Sequence, residues 1–336
     1  YNKYCKKLEN YISKANVILL GTHISPDGDG LGSCISFYYY LNSLKKDCKI
    51  ITESVLPDSF SSFEDINHVS KYKPSLNDWI EKVDLCIIFD IGDFNRLGEF
   101  KDRVYGHCNV VCIDHHPSRA TENPYSFEFI DINAPATGYM IWKYFEYINS
   151  INPININIAK WLYISLISDT GSFKYQSTTA DTHNMAANLL ESGLKTYPIH
   201  RALYEEQPLS KIRLLSLAVQ KMQLSSSGKV AWLVITPEMI IQASGSFQDV
   251  EGITEYLRTI KNVEISFMIM QLSDGTFRVN FRSSGVYIIN DVAQSLGGGG
   301  HKFAAGARID SMSLAEIKNH ILNLMFKKIP GETHVN

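Results

Sequence analysis

The sequence lacks a long apolar run. No stretch of its 336 residues reaches the roughly 18 to 20 apolar residues that a membrane-spanning helix needs, so we expect a protein that does not cross a membrane. The first 14 residues are charged and polar, which argues against a secretory signal. Because the chain begins with tyrosine, we expect a few native residues to precede it. Together these features predict a cytoplasmic protein.

Cysteine is present, but not in the patterns that build zinc sites or disulfide frameworks. The six cysteines all lie in the first third of the chain, and no two form a CxxC pair. A zinc site at Cys108 and Cys112 is an alternative, but no second ligand pair follows it. Cys86 and Cys112 lie in apolar runs, where a free thiol packs as a small hydrophobic group. The pattern favours reduced thiols in a cytoplasm.

Repeats and low-complexity tracts are also missing, and the length favours two domains over one. Residues 1–210 carry a net charge of −6, and residues 211–328 one of +4. The acidic half suits cations and the basic half an anionic ligand, although ordinary variation in surface composition explains the difference equally well. We predict domains at residues 1–193 and 211–328, joined by a linker at residues 194–210.

Strand-like and helix-like segments alternate through the first half. Short apolar or β-branched runs predict strands at residues 17–21, 49–52, 85–90 and 110–114. Helical periodicity predicts helices at residues 31–44, 137–149, 156–168, 181–192 and 209–222. This alternation indicates an α/β fold with a mainly parallel sheet flanked by helices.

The second half indicates a smaller α/β domain with a mixed sheet. Strands are predicted at residues 230–235, 263–272, 276–282 and 307–309, with a closing helix from Ser313 onward. Residues 263–272 and 276–282 form a hairpin through Ser-Asp-Gly. Its second strand has a period of two, so Arg278, Asn280 and Arg282 share its polar face.

Carboxylates and imidazoles concentrate where the predicted elements end. Residues 21–30 follow the first strand and offer His23, Asp27 and Asp29, on a loop that Gly28 and Gly30 would allow to turn sharply. The other candidates follow two further strands and a helix: Asp90, Asp114, His115, His116 and Asp169. In open α/β sheets ligands bind beyond the carboxyl ends of the strands, so we expect these side chains to converge.

Each of these patches alone is equally well explained as a turn, a helix cap or a satisfied core histidine. Their joint occurrence favours a metal site, because mixed Asp and His ligation suits Mn²⁺ or a similar divalent ion. Successive residues leave an extended strand in opposite directions. We therefore expect one of His115 and His116 to face a metal ion and the other to face elsewhere.

The spacing of these residues resembles the four motifs of the DHH phosphoesterase superfamily. The motifs are His23-x3-Asp27-x-Asp29, Asp90, Asp114-His115-His116 and Asp169. The resemblance continues at residues 95–98 and 168–175, and the glycine run at residues 297–300 with His301 resembles the GGGH signature of the DHH-associated domain. Gly30 departs from the usual alanine. The resemblance implies a DHH catalytic domain in residues 1–193 and a substrate-binding domain in residues 211–328, with the active site in the cleft between them.

The resemblance also implies roles for individual residues. His23, Asp27 and Asp90 would hold one divalent ion, and Asp29, Asp90, His115 and Asp169 a second, with Asp90 bridging. Asp114 would orient a histidine, and His116 would act beside Asp90 in catalysis. The substrate would be held by Arg96 and, in the second domain, by a glycine-rich turn and its surroundings, at Arg278, Arg282, Gly299, Gly300 and His301. Two Mn²⁺ ions are the expected cofactors, with Mg²⁺ or Co²⁺ as alternatives.

The subgroup that the chain resembles most is the stand-alone nanoRNases. It implies hydrolysis of short oligoribonucleotides to mononucleotides and of 3′-phosphoadenosine 5′-phosphate, with short single-stranded RNA or small nucleotides as partners and a homodimer as one assembly. Three alternatives stay open. They are a phosphodiesterase of linear or cyclic dinucleotides, an inorganic pyrophosphatase or exopolyphosphatase, and a nucleotide sensor without catalysis.

Overall fold

A computed structural model of the chain describes residues 1–117, 119–120, 123–151 and 153–329. The chain divides into two compact units, Tyr1–Glu206 and the residues from Gln207 onward. Residues 194–210, predicted as a linker, include two short helical segments. The predicted domain boundaries stay a prediction. Within the described ranges, no helix combines the length and apolar character that a membrane span requires.

The first unit is built from a parallel sheet and helices. Its strands are β1 Val17–Gly21, β2 Asp47–Thr52, β3 Val69–Lys71, β4 Leu85–Phe89, β5 Asn109–Asp114 and β6 Phe127–Ile130. Its α-helices are α1 Asn2–Lys14, α2 Gly28–Ser43, α3 Asn77–Ile80, α4 Lys101–Val104, α5 Thr137–Tyr147, α6 Ile156–Asp169, α7 Ala180–Glu191 and α8 Thr196–His200. Short 3-10 turns cover Asp58–Phe60, Glu64–His68, Pro74–Leu76 and Phe94–Leu97, and a π turn covers Arg201–Glu205.

The six strands pair in the order β3-β2-β1-β4-β5-β6, and every pair is parallel. Both faces of the sheet are covered. Leu85, Ile87 and Phe89 of β4 enter one core, while Cys86 and Ile88 enter the core on the other face. A strand buried on both sides needs a continuous apolar sequence, which β4 has. The predicted parallel sheet flanked by helices is confirmed.

The second unit contains a mixed sheet. Its strands are β7 Gln223–Leu224, β8 Val230–Ile235, β9 Ile265–Gln271, β10 Phe277–Ser283, β11 Gly299–His301 and β12 Ala304–Ile309. Its helices are α9 Leu209–Gln220, α10 Pro237–Gln242, α11 Ile253–Arg258, α12 Asn290–Ser295 and α13 Leu314–Lys328, with a 3-10 turn at Phe247–Val250. The order is β11-β12-β10-β9-β8-β7, in which only the β8–β9 pair is parallel among the described residues. The predicted mixed sheet is confirmed.

One ion pair in the first unit gives a testable contribution to stability. Asp65 accepts hydrogen bonds from Lys160 on α6 and from the Tyr39 hydroxyl on α2. Burial opposes the charge on Asp65, but these two donors outweigh it and lower its pKa. A lowered folded-state pKa means that the stabilisation is complete above the unfolded-state value, about 3.9, and is lost as the pH falls through the folded-state value.

Lys160→Met is therefore expected to lower the free energy of unfolding by about 1 to 3 kcal/mol at pH 7, because it leaves the Asp65 carboxylate 7% exposed and without its cation. The difference in the free energy of unfolding between this variant and the wild type should narrow between pH 5 and pH 3. Urea unfolding at several pH values measures it, with the exposed Lys82→Met as control. A difference that stays constant down to pH 3 would contradict the assignment.

Candidate metal centre

The predicted site residues follow three strands that are neighbours in the sheet. β1, β4 and β5 lie side by side, and His23, Asp90 and His115 come one or two residues after their carboxyl ends. Asp169 is the last residue of α6. Together with the residues described below, they form three overlapping groups of possible metal ligands. Within each group, all ligand atoms lie within 4.8 Å of one another. The structure therefore brings the six predicted metal ligands together.

The first group is formed by His23, Asp27 and Asp90. His23 Nε2 lies 3.7 Å from Asp27 Oδ2 and 3.5 Å from Asp90 Oδ2. Asp27 has a second task, because its Oδ1 accepts hydrogen bonds from the backbone N–H groups of Asp29 and Gly30 and so caps α2. One carboxylate thus begins the helix with one oxygen and faces the site with the other.

Gly28 and Gly30 do not form the sharp turn that we predicted, because they are the first residues of α2 itself. The strained residue is Ser25, with φ +54°. A glycine is needed at position 30 for space, since a β-carbon there would lie 2.3 Å from Thr22 Oγ1. Glycine therefore replaces the usual alanine at a position where the neighbouring Thr22 leaves no room for a β-carbon.

Asp29 is fully buried and held by three donors. Its Oδ2 accepts the Thr137 N–H at 2.7 Å, and its Oδ1 accepts the Gly138 N–H at 3.1 Å and the Ser165 hydroxyl at 2.5 Å. Thr137 and Gly138 begin α5, whose N-terminus favours a negative charge. The carboxylate is fixed in place before any ligand binds.

Two histidines are held with their Nε2 atoms toward the carboxylates. His23 Nδ1 lies 2.9 Å from the carbonyl oxygen of Ile24, and His115 Nδ1 lies 3.0 Å from that of Ala134. A carbonyl only accepts, so each Nδ1 carries the proton, and Nε2 of the neutral ring is left with its lone pair. This is the form of imidazole that ligates a metal ion.

Asp90 lies at the centre of the cluster. Its Oδ2 faces His23, while its Oδ1 lies 3.7 Å from His115 Nε2 and 3.4 Å from His116 Nδ1 and accepts the Thr137 hydroxyl at 3.3 Å. Its φ of +60° is a left-handed conformation that costs free energy for any residue with a β-carbon. The fold thus holds Asp90 in a strained conformation that directs its two oxygens toward different histidines.

We expected the two neighbouring histidines to point in different directions, but they do not. β5 ends at Asp114, so strand alternation does not apply to His115 and His116, and both rings approach Asp90. His116 Nδ1 lies 2.7 Å from Asp114 Oδ1. The other oxygen of Asp114 accepts from Arg119, which also bonds Glu128 at 2.5 Å. His116 is the most exposed of the three imidazoles, at 18%.

The crowded carboxylates perturb one another. Burial raises the pKa of Asp29, and the charges of Asp90 and Asp169 raise it further. Burial opposes protonation of His23, but Asp27 and Asp90 more than offset it and raise the pKa of His23 to about 10. Four carboxylates this close repel one another unless protons or cations lie between them.

The residues fit a divalent cation. Asp and His oxygens and nitrogens are ligands for hard to borderline ions. Among the described residues, the buried Nε2 of His115 makes no hydrogen bond, although Asp169 Oδ2 is 3.0 Å away and Asp29 Oδ2 is 3.6 Å away. A buried nitrogen without a hydrogen bond costs free energy, and a cation among these three residues would remove that cost.

The predicted substrate residues are divided between the two units. Arg96 is exposed in the first unit, and its carbonyl oxygen accepts the Ile24 N–H at 2.7 Å. In the second unit Arg282 forms an ion pair with Glu255 at 2.7 Å, and Arg278 Nε donates to Asn280 at 3.3 Å. Residues 276–282 alternate between core and surface as predicted.

The glycine-rich segment is not the turn that we predicted. Gly299, Gly300 and His301 form the edge strand β11, which pairs antiparallel with β12. Gly300 adopts φ +135°, a conformation that residues with a β-carbon rarely adopt, and a β-carbon there would lie 2.6 Å from the Ala304 carbonyl oxygen. The absence of side chains therefore lets the two strands approach each other.

Sequence reasoning missed several residues that hold the site. Ser165 precedes Asp169 by four positions on a predicted helix, a spacing that puts both on one face and that could have identified it. Thr137 was expected only as a helix start. Arg119 lies in a loop, where no periodicity marks it. The carbonyl oxygen of Ala134 carries no signal in the sequence.

Comparison with known proteins identifies both units. The model of the DHH family N-terminal domain matches residues 17–166, and that of the DHHA1 domain matches residues 228–328. The bifunctional oligoribonuclease and PAP phosphatase NrnA of Bacillus subtilis is 26% identical over 307 residues, which cover 91% of this chain and 93% of that protein.

Solved structures share the fold. An exopolyphosphatase-related protein from Bacteroides fragilis has a TM-score of 0.91 at 22% identity, over 97% of this chain and 96% of that one. RecJ of Thermus thermophilus, solved in complex with Mn²⁺, has a TM-score of 0.56 at 14% identity, over 99% of this chain and 55% of that one. The chain carries a DHH domain followed by a DHHA1 domain and belongs to the DHH phosphoesterases, which are hydrolases of phosphoester bonds.

Proposed function

We propose that this chain hydrolyses short oligoribonucleotides to mononucleotides, and 3′-phosphoadenosine 5′-phosphate to its nucleoside monophosphate, with two divalent metal ions, most favourably Mn²⁺. The observation that carries the proposal is the convergence of four carboxylates and three imidazoles at one edge of the parallel sheet. The name of the Bacillus subtilis relative, similar along nearly its whole length, supports the substrate class.

The residues divide between two ions in this proposal. His23, Asp27 and Asp90 would hold one, and Asp29, His115, Asp169 and Asp90 would hold the other, since one Asp90 oxygen faces His23 and the other faces His115. When bound, such a pair of ions activates a water molecule and stabilises the attacking and leaving oxygens of the phosphoryl group. The protein fixes the positions of its ligands through the caps and hydrogen bonds of α2, α5 and α6.

His116 acts on the substrate. Asp114 holds its Nδ1 at 2.7 Å, which orients the ring and favours its protonated form, and its partial exposure makes it accessible to a phosphate oxygen. We assign it the stabilisation of the phosphate and the transfer of a proton to the leaving oxygen. Arg282, Arg278, Arg96 and the β11 residues Gly299, Gly300 and His301 remain our candidates for holding the rest of the substrate.

A panel of substrates tests the proposal. Turnover of 5′-phosphorylated diadenylate, 3′-phosphoadenosine 5′-phosphate, cyclic diadenylate and pyrophosphate is compared in Mn²⁺, in Mg²⁺ and with chelator. We expect the first two to be hydrolysed fastest. Release of phosphate from pyrophosphate alone would establish a pyrophosphatase. Hydrolysis confined to the cyclic dinucleotide would establish a messenger phosphodiesterase, and tight nucleotide binding without turnover a sensor.

Arg119 is expected to affect the chemical step through Asp114. Arg119→Ala should lower kcat by about 10- to 100-fold with a smaller change in KM, because Asp114 loses its cation and His116 its fixed orientation. Mn²⁺ affinity, measured by calorimetry, should change little. Arg119→Lys should recover part of the loss, and Glu128→Gln, which removes the charge of the other carboxylate that Arg119 bonds, is the control. An effect on KM alone would contradict this role.

The cytoplasmic location and the homodimer stay predictions. All six cysteines are free thiols, which agrees with a reducing compartment. Sedimentation of the purified protein would determine its oligomeric state.

A further inference from the structure

A second concave surface lies in the first unit, outside the metal ligands. This groove has a volume of about 300 Å³, and its lining includes Ser54, Val55, Leu56, Ile66, Val69 and Lys71, together with Asp58 and Ser61. Its size is at the lower end of the range for sites that hold small molecules. Leu56, Ile66 and Val69 are partly buried and pack against the main core, whereas Val55 is 66% exposed. The groove thus has apolar walls fixed by the core and one lining apolar side chain, Val55, that is largely exposed.

The groove lies on the edge of the sheet that carries the metal site. One wall is the segment that follows β2, and the other is formed by Ile66, before β3, and by Val69 and Lys71 of β3. These strands run parallel to β1 in the order β3-β2-β1, and neighbouring strands are about 4.8 Å apart. The wall that follows β2 therefore begins about one strand from the end of β1, where His23 is located.

A hydrogen bond joins the groove to the loop that carries the metal ligands. The Ser25 N–H donates to Ser54 Oγ at 2.9 Å. Ser25 lies between His23 and Asp27 and has the left-handed φ of +54°. Ser54 thus supports a strained residue between two ligands while its neighbours Val55 and Leu56 line the groove. A molecule bound at the metal site could extend into the groove.

The chemistry of the groove suits one part of a nucleotide. Leu56, Ile66 and Val69 offer apolar contacts to a flat ring, and removing the apolar surface of such a ring from water is favourable. Asp58 can accept from an exocyclic amino group, and the exposed Lys71 can contact a phosphate. We propose that this groove binds the nucleobase of the nucleotide next to the scissile phosphate. The inference rests on the proposed function, since it assumes that a nucleotide occupies the metal site.

The test compares substrates with and without that base. Val55→Glu places a charge in the groove at an exposed position, and Ile241→Glu makes the same change at an exposed position of the second unit, 76% exposed. Turnover in Mn²⁺ is measured for 5′-phosphorylated diadenylate and for analogues that are abasic at the first or the second residue. For each protein, kcat/KM for diadenylate is divided by kcat/KM for each abasic analogue. Val55→Glu should lower this ratio by about tenfold for one of the two analogues, which is the scale of one lost base contact. Ile241→Glu should leave the ratio unchanged.

Three results would overturn the inference: equal losses on all substrates, no loss on any, or a change of oligomeric state in sedimentation without a change in the ratio. The last would identify the groove as a contact between copies of the chain. If the wild type does not hydrolyse diadenylate at all, the proposed function fails. Calorimetric measurement of AMP binding then tests separately whether the groove binds a nucleobase. Weaker AMP binding by Val55→Glu would support the groove, and unchanged binding would refute it.

Discussion

Replacing Asp90 with asparagine is expected to abolish phosphoester hydrolysis. Asp90 is the one residue whose two oxygens face both proposed ion positions, so the substitution removes a charged ligand from each. Asparagine keeps the shape of the side chain and tolerates the left-handed φ of +60° better than most residues, so the fold should persist. We expect a loss of roughly a thousandfold or more in kcat/KM, the scale seen when a member of a catalytic unit is removed.

The matched control is Asp102→Asn, the same change at an exposed aspartate of α4. It should leave kcat/KM within about twofold of the wild type, since surface substitutions away from special features have small effects. Both variants are first compared with the wild type by circular dichroism. A folded Asp90→Asn protein with more than a tenth of the wild-type activity would show that Asp90 does not hold both ions.

Removing divalent ions with a chelator is expected to eliminate the same activity, and Mn²⁺ should restore it. The effect on stability is equally diagnostic, because an ion that binds the folded chain stabilises it by about 2.7 kcal/mol at a hundred times its dissociation constant. Mn²⁺ should therefore raise the thermal unfolding midpoint of the wild type. Without ions, four neighbouring carboxylates repel one another and should make the chelated protein less stable.

Asp90→Asn should respond differently in the same experiment. Burial opposes the charge on Asp90, but the imidazoles of His23, His116 and His115 outweigh it and lower the pKa of Asp90, so the chelated variant should gain no stability over the chelated wild type. Added Mn²⁺ should stabilise the variant far less than the wild type, because both proposed ion positions lose a charged ligand. Full hydrolysis in the presence of chelator, or equal stabilisation of both proteins by Mn²⁺, would contradict a metal site at this cluster.

The positions of the cluster residues could be predicted because they depend on one feature of the fold. Parallel strands end at the same edge of a sheet, so polar residues that follow three apolar runs must lie near one another. His23, Asp90 and His115 come directly after such runs. No long-range contact had to be known in advance, and the resemblance to a family supplied the assignment of roles.

The predictions that were wrong concern features that depend on tertiary contacts. Gly28 and Gly30 suggested a turn by composition, but the Asp27 cap draws them into α2. The glycine-rich segment suggested a turn, but pairing with β12 makes it a strand. Both rings of His115 and His116 approach Asp90 because β5 ends at Asp114, where the prediction placed its end, so the strand alternation that we applied to the two histidines does not reach them.

Other features were missing from the prediction altogether. Helix α1 carries Cys5, Leu8 and Ile12 at a spacing of three and four, a buried stripe that its many charges obscured. Strands β3 and β6 are short and lie at the two edges of the sheet, where apolar runs are weaker. Arg119 reaches the site across a loop, and only the folded chain shows that contact.

Anomalous diffraction from crystals grown with Mn²⁺ would locate the bound ions themselves. We expect two peaks about 3.5 to 4 Å apart, one among His23, Asp27 and Asp90 and one among Asp29, Asp90, His115 and Asp169. The same crystals of Asp90→Asn should lose at least one of them. A wild-type crystal in which these side chains bond only to one another, with manganese elsewhere or bound nowhere, would contradict this expectation.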